Sequence, residues 1–78
     1  MNINKERLKW RSRRSMLELD LFFDKFIQEN GLDSLSESEL NAYQNLLTLD
    51  DGYLILLLHG IVDSDDVLEQ MVIDKIKG

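Results

Sequence analysis

The sequence predicts an all-α fold, a compact five-helix bundle. Three observations lead there. Five segments carry helix start or stop signals, with apolar residues at helical spacing in the longer ones. Only one short apolar run reads as a strand, and no second candidate exists to pair with it. Proline is absent and glycine occurs only at positions 31, 52, 60 and 78, so element boundaries rest on capping residues.

Asn4 caps a first helix running from Lys5 to about Arg14, with Ile3 and Leu8 at hydrophobic-staple positions. A second helix reads from about Met16 to Glu29 and stops near Asn30-Gly31. On a helical wheel Met16, Leu19, Phe22, Phe23, Phe26 and Ile27 share one broad face, the expected core stripe. Leu17 and Leu21 fall outside it beside Glu18, either as a contact patch or touching a second helix. Ser36-Glu37-Ser38-Glu39 is a capping box for the third helix, with Leu35 and Leu40 as its staple. Leu40, Tyr43, Leu46 and Leu47 then recur at helical spacing.

Asp50 caps a short fourth helix from Asp51 to His59, stopped by Gly60. Periodicity alone also permits a buried strand over Tyr53 to Leu58, but leucine dominates and aspartates precede the run, which favours helix. Asp63 or Ser64 caps a fifth helix to about Lys77, with Val67, Leu68, Met71, Val72 and Ile76 expected to face inward.

A chain of 78 residues is expected to form one domain, residues 1–78, with a thin core. With no cysteine it has neither a disulfide nor a zinc-finger ligand set, so stability must come from helix packing. The start, Met1 to Lys5, lacks a signal-peptide apolar stretch, and Leu54 to Leu58 is far short of the roughly 20 residues that cross a bilayer. A cytoplasmic protein that does not span a membrane is expected.

The net charge of −6 is unevenly placed. Residues 1–14 hold six basic residues and one acid, Glu6, a net of +5; residues 15–78 hold three lysines and fourteen acids, a net of −11. A basic arm suggests nucleic acid, but the acidic remainder repels a polyanion. A protein partner that reads both signs is the expectation, with no nucleic acid.

Enzymatic motifs are absent: there is no glycine-rich phosphate loop, no HExxH, and no cysteine or histidine pair. No catalytic residue, cofactor or metal is therefore assigned. His59, the single histidine, lies in the last turn of a helix, where the dipole favours a cation and a structural role. The clusters Asp50-Asp51 and Asp63 to Asp66 stand at helix starts and read as caps. Arg14 and Glu18, four apart, form a local pair if both lie on one continuous helix, worth only ~0.3 kcal/mol.

The segment Arg13-Arg14-Ser15-Met16-Leu17-Glu18-Leu19-Asp20 closely resembles the signature of the succinate dehydrogenase flavinylation factors, also called the SdhE family. That signature reads Arg-Arg-Gly-Met-x-Glu-Leu-Asp with a tryptophan slightly upstream, matched by Trp10. The resemblance continues through Asp33-Ser34-Leu35-Ser36 and Leu46-Leu47-Thr48-Leu49-Asp50-Asp51, so it covers almost the whole chain.

The resemblance implies a five-helix fold and an assembly role: binding the flavoprotein subunit of succinate dehydrogenase or fumarate reductase and promoting covalent attachment of FAD. It implies no enzyme, since the chemistry belongs to the flavin and a histidine of the client. The family's Arg-Gly-x-x-Glu core maps onto Arg14, Ser15 and Glu18, with Ser15 in place of glycine. Arg7, Arg13 and Asp20 are expected around that centre as partner-binding residues. An alternative role is a soluble, antitoxin-like regulator of a membrane protein.

Overall fold

The computed structural model describes residues 5–78, so the expected cap Asn4 and staple residue Ile3 lie outside the described residues. Among the described residues five α-helices follow in order: α1 Lys5–Arg11, α2 Leu17–Gln28, α3 Glu37–Leu46, α4 Asp51–Leu58 and α5 Val67–Lys77. A single 3-10 turn, Leu32–Ser34, stands between α2 and α3, and no strand occurs among the described residues. The run Tyr53 to Leu58 is helical.

The first helix ends at Arg11 rather than near Arg14, and the residues after it make other contacts. Ser12 Oγ donates back to the Leu8 carbonyl at 2.6 Å. The Arg14 amide donates to Asp20 Oδ1 at 3.1 Å instead of to the preceding helical turn. The Arg14 guanidinium reaches away to the end of α3, as described below.

The second helix places Leu19, Phe23 and Phe26 in the core, with Phe22 and Ile27 packed at its edge. Met16, expected in the core stripe, is instead the N-cap and exposed, its side chain making no capping bond. The helix stops in a Schellman arrangement: the Gly31 amide donates to Phe26 O at 2.8 Å and the Asn30 amide to Ile27 O at 3.0 Å. Asn30, at φ 61°, takes the left-handed position of this stop. Gly31 has ordinary helical dihedrals, and a Cβ there would run into the Phe26 ring.

The capping box of α3 is formed as expected. Glu39 N donates to Ser36 Oγ at 3.2 Å, and Ser36 N donates to Glu39 Oε1 at 2.9 Å. Lys75 of α5 meets the other carboxylate oxygen of Glu39 at 3.0 Å. The Ser36 amide first, and then Lys75, hold the Glu39 carboxyl below its ordinary range. Leu35, Leu40, Tyr43, Leu46 and Leu47 are all buried. Tyr43 sits among aromatic rings, edge-on to Phe23 at 6.0 Å and stacked on Phe26 at 5.9 Å.

Asp50 caps α4 by accepting from Gly52 N at 3.0 Å, and Gly60, at φ 76°, ends the helix. The start of α5 differs from the expected one. Asp66, not Asp63 or Ser64, is the N-cap, accepting from Leu68 N at 2.9 Å and Glu69 N at 3.1 Å. Ser64 is engaged upstream, donating its amide to Gln70 Oε1 at 2.8 Å and accepting from the Asp66 amide at 3.1 Å. Val72, Ile73 and Ile76 form the inner face, while Val67, Leu68 and Met71, expected inside, are exposed. The residues that dock on α3 lie one turn further along the chain, and α3 with α5 makes the broadest helix pair.

Candidate functional site

No described helix is long and apolar enough to cross a membrane, and no group of His, Asp and Glu side chains among the described residues is arranged to hold a metal. What distinguishes the surface is the linker between α1 and α2 together with the first turn of α2. It carries the signature segment Arg13 to Asp20.

Asp20 organises the linker from within α2. Its Oδ1 accepts from the Arg14 amide at 3.1 Å and lies 3.6 Å from Arg13 Nε. Arg13 otherwise points into solvent. Arg14 turns inward, and its side chain is only 14% exposed. Nη2 donates to the Leu47 carbonyl at 2.6 Å, and Nη1 lies 3.4 Å from Asp51 Oδ1. The guanidinium carbon stands 5.9 Å from the centre of the Phe23 ring, a cation–π placement. Arg14 thereby joins the linker to the α3–α4 turn.

Glu18 faces the opposite way. Its side chain is 56% exposed, and Oε2 lies 2.8 Å from His59 Nε2 at the end of α4. The local Arg14–Glu18 pair therefore does not form, because the backbone between them is not one continuous helix and each side chain has a distant partner. Ser15 precedes the N-cap, is exposed, and caps nothing. Among the described residues only Asn30 is a non-glycine with positive φ, so serine sits at position 15 without backbone strain. Arg7 is exposed on α1.

Apolar side chains flank this segment. Leu17 is 71% exposed, Leu21 59% and Trp10 76%, so the two leucines touch no second helix closely enough to be buried. Trp10, Arg13 and Asp20 border an open depression between α1 and α2. The arrangement supplies an ordered, mixed polar and apolar surface.

The sequence had no signal for three of the contacts that shape this surface. His59, Asp51 and the Leu47 carbonyl come from 41, 37 and 33 positions away from their partners.

A family model described as the flavinator of succinate dehydrogenase matches residues 6–78. The chain is 45% identical over 71 residues to the FAD assembly factor SdhE of Legionella pneumophila (strain Paris), covering 91% of this chain and 89% of that protein. It is 40% identical over 72 residues to the FAD assembly factor SdhE of Aliivibrio fischeri, covering 92% and 83% of the two chains. The corresponding protein of Colwellia psychrerythraea is 35% identical over 81 residues, covering 99% and 88%. These relatives are named as assembly factors rather than catalysts. No solved structure matches the chain.

Proposed function

The chain belongs to the family of succinate dehydrogenase flavinators, and from that premise we propose that it is an assembly factor for a flavoprotein client. It binds the flavoprotein subunit of succinate dehydrogenase, or of fumarate reductase, and promotes covalent attachment of FAD to it. FAD is the client's cofactor; this chain supplies binding and orientation. Holding reactants in a productive arrangement is a large source of rate, and a small bundle clamped on its client provides it without chemistry of its own.

The observation that carries the reading is the signature segment itself, exposed at Ser15 and Glu18 yet held rigidly from beneath. Ser15 and Glu18 form the centre of the contact, with Arg7 and Arg13 as further partner-binding residues. Arg14 and Asp20 serve it by fixing the linker, so the contact surface is ordered before the client arrives. Leu17 and Leu21 supply apolar area around the polar centre.

Glu18→Ala tests this directly. An unpaired interface group costs ~2 kcal/mol or more of binding. In a deletion strain complemented with this variant, covalent flavin fluorescence of the client should fall while the factor's melting temperature barely moves. Equal loss of folding and flavinylation would return Glu18 to a structural role. Co-purification of a membrane protein or nucleic acid, in place of a flavoprotein subunit, would overturn the client assignment.

A further inference from the structure

The contact between Glu18 and His59 links the first turn of α2 to the C-terminal end of α4. A glutamate on an open surface ordinarily samples several rotamers, and ordering it on binding costs free energy. Here Oε2 is already held 2.8 Å from His59 Nε2. The imidazole is fixed in turn, packed edge-on to Phe22 with ring centres 6.3 Å apart. Its backbone is fixed too: the His59 amide donates to Ile55 O at 2.9 Å, and left-handed Gly60 follows. Nε2–H donates to the carboxylate both in the imidazolium and in the neutral tautomer that carries its proton there, so the contact does not need a charged ring.

Two cations lie on the same depression as this carboxylate. Lys25 and Lys77 border the surface depression that Glu18 also lines, together with Leu21, Phe22 and Ile76. A carboxylate released from His59 shares an open depression with both lysines and is no longer held in one orientation. Oε1 meanwhile makes no hydrogen bond among the described residues.

Resting on the assignment of Glu18 to the client contact, we propose that His59 is a positioning residue for client recognition. It holds Glu18 by Oε2 so that Oε1 is presented outward to a cationic donor, an arginine or lysine side chain, on the flavoprotein client. His59 extends the functional surface onto α4 although it lies outside the signature segment.

The test is a binding titration of the purified full chain against the flavoprotein subunit of succinate dehydrogenase, with melting temperatures recorded alongside. His59→Ala should weaken binding about 3- to 10-fold, the scale of ordering one long side chain. His59→Gln, whose amide also donates, should restore most of it. In a Glu18→Ala background His59→Ala should have no further effect, since the two act as one unit. Native affinity for His59→Ala beside weakened Glu18→Ala overturns the positioning role and leaves the client contact standing. A His59→Ala penalty that persists without Glu18 overturns it as well. Native affinity for Glu18→Ala overturns the underlying client contact, and the positioning role with it.

Discussion

Arg14 donates from Nη2 to the carbonyl oxygen of Leu47 at 2.6 Å, so the segment that carries the family signature is anchored at the C-terminal end of α3. The same guanidinium lies near Asp51 in the first turn of α4 and over the Phe23 ring. One side chain thus fixes where α2, α3 and α4 meet. Arg14→Ala should cost about 1.5–3 kcal/mol of stability, the range for a hydrogen bond from a charged group. Arg14→Lys should recover only part, because an ammonium lacks the planar fork that serves two acceptors at once. Thermal melts check both. A native melting temperature for Arg14→Ala with lost flavinylation would make Arg14 a client contact instead of a support.

Proton counting assigns the donors at the buried Ser12–Tyr43 contact. Ser12 has one hydroxyl proton and gives it to the Leu8 carbonyl, so across the 2.5 Å contact Tyr43 donates to Ser12 Oγ. Ser12→Ala leaves the Tyr43 hydroxyl buried without an acceptor and should cost about 1–3 kcal/mol. Adding Tyr43→Phe to that variant should cost less than the two single changes summed. Burial pushes the Tyr43 phenol from an ordinary 10.0 up to about 12. Its folded-state pKa is the higher one, so the stabilisation is complete below pH 10 and is lost as pH rises toward about 12. Alkaline denaturation should be steeper over that window than for Tyr43→Phe, by up to about 1.4 kcal/mol per pH unit.

The α2 stop predicts opposite outcomes at adjacent positions. Asn30→Gly should be neutral or slightly stabilising, because glycine adopts the left-handed conformation without a Cβ penalty. Gly31→Ala should destabilise by about 1–3 kcal/mol, the cost of overpacking against Phe26. Chemical denaturation of the two variants measures the contrast. An equal response at both positions would remove the Phe26 contact as the reason for Gly31.

Ser15 neither caps α2 nor occupies a strained conformation, and under the proposed client contact it acts at the surface. Ser15→Gly should change stability by no more than about 1 kcal/mol and leave client flavinylation intact. Ser15→Arg should fold normally and block flavinylation by crowding the contact. A folded, fully active Ser15→Arg protein would refute the placement of Ser15 at the interface.

Local signals made most of the helices readable, and tertiary contacts decided the rest. The Ser36–Glu39 box and the Gly60 stop depend on residues within one helical turn, and both were legible. The start of α5 was not, because Asp63, Ser64, Asp65 and Asp66 all have capping side chains. Docking of Val72, Ile73 and Ile76 on α3 selects Asp66. At the candidate site the signature residues were found from sequence, but their orientations were not. Arg14 turns inward toward Leu47, and Glu18 is held by His59, through partners that no local spacing reveals.

The dependence of α3 on α5 bears on how the chain is made. Val72, Ile73 and Ile76 complete the core, and Lys75 closes on Glu39. A ribosome delivers α1 through α4 before these residues, with the partner face of α3 still uncovered. The bundle therefore closes only after Ile76 has emerged. Until then its leucine-rich surface is open to chaperones and proteases, and the nascent chain has a period of vulnerability that a mature, refolded sample never shows.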